Sequence, residues 1–311
     1  MAATLWDHFE HLLDDAEKKF LEFQFTEAVE LWQKYYAITA KVEYEKFIKE
    51  IVQLWDEERF SAIPSLTQLY RLFCELREKR QKKQISSFTF ELYKRLLVNI
   101  YRERFRYMAQ NEVSLEAGVF EYLSGAFESA VEKLQQVVEE NQEELVARIF
   151  LGHTYMALKD SKQAIAILSQ NLFLAADELQ EEDLYLSQFK MLLGRLHTTT
   201  GSAREAMWLL TFESWYRNYL IIKEDLPFFR VIQQKETSER ILQVKYYAYE
   251  RYRHFVRSLF IAEYLRLYDK DNRGMLLEQV TNMARLDAAL FERYRKKRKT
   301  PVNIEPKEGT S

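Results

Sequence analysis

The chain has 311 residues, a formal charge of −3, 14% aromatic residues and a single cysteine, Cys74. Near-neutral charge argues against a polyanion binder that works by bulk charge, and one cysteine excludes an internal disulfide or a cysteine metal cage. Seven glycines and four prolines make 11 of 311 residues, far below the usual share of roughly 12%, so an all-α chain with few, short connections is expected.

The first 15 residues carry four acids and no Lys or Arg, without the basic-then-apolar order of a secretory signal. No apolar run is long enough to cross a bilayer. A soluble, cytoplasmic protein with no membrane partner is the expectation. Thr4 and Asp7 have the spacing of a capping box with Asp in place of Glu. The helix that follows carries Leu5, Phe9, Leu12, Leu13, Ala16 and Phe20 on one stripe. Ala16, Phe23, Ala28 and Trp32 then stand at steps of 7, 5 and 4. Residues 1–42 read as N-terminal helices containing a degenerate hairpin unit, with Phe23 where a turn glycine belongs.

Residues 43–110 read as three longer spacer helices. The first runs to about Arg59 with Tyr44, Phe47, Ile48, Ile51, Val52 and Trp55 inward. The second starts at Ser61, where Pro64 is tolerated in the first turn, and ends in the charged run Arg77–Lys83. Ser87 caps the third, whose stripe is Phe90, Tyr93, Leu97, Ile100, Tyr101, Phe105 and Met108.

Residues 111–220 carry the strongest pattern. Gly118, Gly125, Ala130 and Leu134 keep the 7, 5, 4 steps; so do Gly152, Lys159, Ala164 and Leu168, and Gly194, Gly201, Ala206 and Leu210. The first two sets lie 34 residues apart and the next two 42 apart. A period of that size marks stacked helical hairpins, here 111–144, 145–178 and 187–220. Gly118, Gly152 and Gly194 are read as points where paired helices cross closely, and Gly125 and Gly201 as left-handed turn residues. Asp177–Asp183, with five acids in seven residues, reads as a helix extension with a solvated face, the alternative being a contact for a basic partner.

Asp225-Leu226-Pro227 breaks the pattern. Thr237 or Ser238 is expected to open a helix of about 30 residues with the stripe Ile241, Val244, Ala248, Tyr252, Phe255, Leu259, Ala262 and Leu265. Asp269–Gly274 turns the chain into a last helix from Met275 to about Lys299, so 221–299 forms a C-terminal helical cap. Residues 300–311 are expected to be disordered.

The steps of 7, 5 and 4 at a 34-residue period resemble the tetratricopeptide repeat family. The resemblance implies an all-α, α-solenoid fold of helical hairpins closed by a long C-terminal helical hairpin, and a non-catalytic scaffold or adaptor that binds a peptide or amphipathic helix of another protein. By position, the implied groove is lined by Leu115, Val119 and Tyr122, then Val146, Ile149, His153 and Met156, then Gln188, Met191, Arg195 and Thr198. The family's clamp for C-terminal carboxylates is not supported, because Leu115, Val119 and Ile149 replace its polar residues. An apolar groove of this kind either receives a partner's helix or is filled by the chain's own spare helices.

The rival function is RNA or single-strand binding through Arg251, Arg253 and Arg257, interleaved with aromatics, and through Arg293, Arg295, Lys296, Lys297 and Arg298. No catalytic motif, metal site or cofactor site is found. Asp269–Gly274 fails as a calcium loop because Arg273 and Val280 stand where oxygen ligands are needed. His8 and His11, beside Asp7 and Asp14, read as surface residues of one helix face.

Overall fold

The computed structural model describes residues 5–39, 42–55, 60, 63–241 and 248–299. The Thr4–Asp7 cap, Val244 and the C-terminal tail lie outside the described residues or their side chains. The chain is all-α, and no strand occurs among the described residues. It divides into two compact units, Met1–Ser129 and Ala130–Ser311.

In the first unit α1 (Leu5–Leu21) and α2 (Phe25–Thr39) form a hairpin. Its turn is left-handed at Phe23, with φ 62°. Phe23 N donates to Phe20 O at 3.1 Å and Gln24 N to Lys19 O at 2.8 Å, the paired bonds that close a helix C-terminus on a left-handed residue. Ala16 and Ala28 are fully buried. Beside them Phe20 meets Trp32, Trp55 and Tyr93 at ring-centre distances of 5.7, 5.5 and 5.1 Å. Around this aromatic nucleus pack α3 (Val42–Leu54), α4 (Leu66–Gln81) and α5 (Ser87–Ile100), while α6 (Leu115–Leu123) packs on α4.

Two expected starts move. Pro64 precedes α4, and Ser65 caps it by accepting from Gln68 N. Ser86 rather than Ser87 caps α5, accepting from Thr89 N at 3.1 Å. The stripe of α5 also stops short of Met108, which is 65% exposed. A π turn at Tyr101–Phe105 follows α5, closed by Arg106 N on Tyr101 O at 2.9 Å. Its wider turn rotates later residues off the buried face.

α7 (Phe127–Glu140) carries the chain into the second unit. There α8 (Leu145–Ala157) pairs with α9 (Ser161–Ala175), and α10 (Ser187–His197) with α11 (Ala203–Tyr216). α12 (Leu226–Ile241) and α13 (Ala248–Tyr268) pack against α9, and α13 also packs on α11; α14 (Arg273–Leu286) lies along α13, with α15 (Ala288–Lys299) after it. One apolar core joins Leu168, Phe173, Trp208 and Phe212 to Phe228, Phe255, Phe260 and Tyr294.

The turns that end α6 and α8 use the same bonds as the Phe23 turn. Gly125 has φ 84° and Lys159 φ 63°, and in both the residue and its successor donate back to the preceding turn at 2.9–3.1 Å. Gly201 differs from its expected role, since its φ is not positive; Thr199 and Thr200 close α10 on Leu196 O, and Gly201 N donates to Glu205 Oε2 at 3.0 Å. Lys159 is exposed and accepts a conformation that costs an L-residue about 1–2 kcal/mol. Lys159→Gly is therefore expected to raise unfolding free energy by about 0.5–1 kcal/mol, after the entropy glycine adds to the unfolded chain. Urea unfolding checks the sign.

Two glycines of the first helices, Gly152 and Gly194, also differ from expectation. A Cβ on Gly152 would stand 2.6 Å from the Tyr185 hydroxyl oxygen, so this glycine admits a ring from the following connection rather than a paired helix. At Gly194 a Cβ would meet nothing within 4 Å.

The acidic connection is not a helix extension. It folds as two 3-10 turns, Ala176–Glu178 and Glu181–Asp183. Leu179 and Leu184, which follow these turns, are buried, and Asp183 turns inward to accept from Gln180 N at 2.9 Å. Glu178, Glu181 and Glu182 remain solvated.

Near the C-terminus, α12 starts at Leu226 and not at Thr237. Asp225 caps it by accepting from Phe228 N at 2.9 Å, and Pro227 falls in the first turn, where no N–H is required. The helix expected from Met275 to Lys299 breaks at Asp287, whose backbone is extended and whose carboxylate accepts from Leu290 N at 2.9 Å. A short polar residue that caps a new helix competes with continuation of the old one.

Arg148 ties the segment before α12 to the α8–α9 hairpin. It is fully buried, donates to Gln142 O and to Gln170 Oε1, both at 2.8 Å, and lies 4.8 Å from the Phe228 ring centre. Gln170 in turn donates to Asp225 at 2.8 Å. Burial lowers the Arg148 pKa to about 10, against the pull of Asp225.

Candidate protein-docking face

α10 is amphipathic in a simple way. Phe189, Leu192 and Leu193 are buried and hold it on α11. Ser187, Met191, Gly194, Arg195, His197 and Thr198 are exposed on the other side. Met191 is 63% exposed. α12 and α13 pack on the second helices of the hairpins, α9 and α11, and so leave this side of α10 uncovered. Among the described residues, this side of α10 is exposed.

The other implied groove residues divide. On α8, Val146, His153 and Met156 are half-buried, while Ile149 is buried in the core. His153 meets the Tyr185 ring edge-on at 5.1 Å. Tyr185 in turn donates through its hydroxyl to Ala164 O, and burial raises its pKa. On α10, Gln188 is half-buried and Met191, Arg195 and Thr198 are exposed. Leu115 and Tyr122 of the first unit are half-buried, but Val119 is fully buried. Val119 and Ile149 are thus corrected from groove lining to interior: each carries a β-branched apolar side chain with almost no surface left to offer a ligand. His197 and, absent from the sequence-based set, Lys190 and Gly194 belong to the exposed side or rim of α10. Helical spacing from Met191 and Arg195 would have found them.

The basic residues considered for nucleic acid are largely put to structural use. Arg257 is buried, donates to Leu174 O at 2.8 Å and lies over the Trp208 ring. Arg293 pairs with Glu213 at 2.5 Å and stacks over Phe212 and Tyr216; the Glu213 hydrogen bond raises its pKa. Lys297 caps the last carbonyls of α11, at Trp215 and Tyr216, over the Trp215 ring, and burial lowers its pKa to about 8. Arg298 donates to the buried Glu263 at 2.8 Å. Arg253 is half-buried. Arg251, Arg295 and Lys296 are exposed, with Arg295 paired to Glu292 at 2.7 Å. Arg257 and Arg293 are part of the packing, because a guanidinium can lie on aromatic faces while its donors reach polar partners.

Among the described residues no group of three or more His, Cys, Asp or Glu is arranged to hold a metal, and Asp269–Gly274 is a polar turn closed by Arg273 N on Asp271 O at 2.8 Å. No described helix is long and apolar enough to cross a membrane. The described residues form helical hairpins, with one side of α10 exposed to solvent. Residues 122–180 match the family model of the tetratricopeptide repeat. No curated protein and no solved structure matches the chain.

Proposed function

We propose that the protein is a non-catalytic adaptor that docks a segment of a partner protein on the exposed side of α10, with Val146, His153 and Met156 of α8 as the flank. The observation that supports this most is the stripe Ser187, Met191, Gly194, Arg195 and Thr198, open to solvent beside an otherwise completed core. The same reading takes residues 1–42 as a repeat-like hairpin, 43–110 as spacer helices, 111–220 as the hairpin array and 221–299 as its cap, in a cytoplasmic protein. α12 and α13 cover the second helices, a role end elements of repeat arrays serve by hiding apolar surface.

Met191→Glu tests the docking face. An exposed substitution of this kind changes stability by less than about 0.5 kcal/mol, so the helical circular dichroism and unfolding midpoint should stay as in the parent. Affinity purification followed by mass spectrometry should then lose a defined set of partners. Recovery of the same proteins in the same yield from both forms would refute docking at α10.

A further inference from the structure

We infer that the partner segment docked on α10 is an acidic amphipathic helix; this rests on the docking reading above and specifies its ligand. The first ground is charge. The chain holds 48 Asp and Glu in 311 residues, a density that would place about three or four in helices of the combined length of α8 and α10. Neither helix contains one. α10 instead presents Lys190, Arg195 and His197 around Met191. None of these three side chains has a carboxylate partner among the described residues. The acids of the neighbouring connection, Glu181 and Glu182, are solvated, and Glu205 is spent on Gly201 N.

The second ground is shape. Gly194 stands three residues from Met191 and next to Arg195, and the space where its Cβ would be is open. A missing side chain at the middle of an exposed face lets a second backbone approach closely there. Met191 offers a flexible, polarisable apolar contact on one side of that point, and half-buried Met156 offers another on α8. A helix with apolar residues at i, i+3 and i+4 fits such a surface, with carboxylates on its flanks reaching Arg195 and Lys190. Arginine prefers the planar, two-oxygen geometry of a carboxylate. An acidic flank is thus attracted and a basic one repelled, which is how rim charges select partners.

The test uses the full chain and two labelled helical peptides with the same apolar pattern, one with Glu and one with Lys at the polar positions. Fluorescence anisotropy should show the acidic peptide binding at least about tenfold more tightly than the basic one. The double variant Lys190→Glu/Arg195→Glu should reverse that order, and Met191→Glu should abolish both. If the basic peptide is preferred by the parent protein and is lost with Met191→Glu, docking on α10 stands and the acidic partner is overturned. If binding survives Met191→Glu, the docking face itself is wrong. No binding of either peptide, with the variants folded by circular dichroism, also overturns the inference.

Discussion

Gly152→Ala is expected to destabilise the protein by about 1–3 kcal/mol, whereas Gly194→Ala should stabilise it by about 0.5–1 kcal/mol. The two glycines occupy the same place in successive repeat patterns, yet their surroundings differ. An exposed mid-helix glycine with free space around its Cα gains helix propensity when a methyl is added. At Gly152 the methyl would meet the Tyr185 hydroxyl oxygen at 2.6 Å and ring carbons at 3.0 and 3.1 Å. The ring must then move, and with it goes the bond from Tyr185 to Ala164 O, worth about 1 kcal/mol. Those losses exceed the propensity gain.

A thermodynamic cycle with Tyr185→Ala isolates the cause. Without the ring, Gly152→Ala should cost nothing further, so the two substitutions should be coupled by about 1–3 kcal/mol. Unfolding in urea, followed by far-ultraviolet circular dichroism, measures all four forms. Equal effects of alanine at positions 152 and 194 would show that the Tyr185 contact has no energetic weight.

Arg148→Ala should cost about 3–4 kcal/mol, the largest loss expected of any single truncation discussed. The side chain is fully buried, so its removal leaves a cavity. It also strands Gln142 and Gln170, which now accept from the guanidinium. Arg148→Met refills much of the volume without replacing the donors, and should cost about half as much. The effect should be local as well as global. Ile221 N donates to Ser169 Oγ at 3.0 Å and Phe228 N to Asp225 at 2.9 Å, and both sit in the segment that the Arg148–Gln170–Asp225 chain holds in place. Hydrogen exchange at these two amides should accelerate in Arg148→Ala more than in α13. Unchanged protection there would mean that Phe228 packing alone seats the segment.

Much of the fold was legible because its signals are local. The steps Gly118–Gly125–Ala130 and Gly152–Lys159–Ala164 report a helix length, a turn and a return helix, all set by residues within one hairpin. The left-handed turn at Phe23 was legible too, since the same step pattern placed it where Gly125 and Lys159 stand. The break at Asp225 was read, but the helix after it was placed eleven residues late, at Thr237 instead of Leu226, and the break at Asp287 was missed. At Asp287 a cap signal, Asp three residues before a buried apolar residue, competed with an unbroken helical pattern, and local propensity alone does not rank the two.

The docking face was only half legible. Helical spacing found Met191, Arg195 and Thr198, but it also nominated Val119 and Ile149, because apolar residues on a first helix look alike whether they face a ligand or the core. What separates them is which helix packs on which side. The amino-acid sequence by itself determined that the chain is all-α, where the hairpins of residues 111–220 turn, and that α8 and α10 carry no acid. Only the tertiary structure decided that α12 and α13 settle on α9 and α13 on α11, that Arg257, Arg293 and Lys297 turn inward to aromatic rings and carbonyls, and that Met191 and Arg195 of α10 are exposed. The physical reason is that periodicity is written in neighbours three and four residues apart, while the choice of covering surface depends on long-range burial that sums many weak contacts across distant segments.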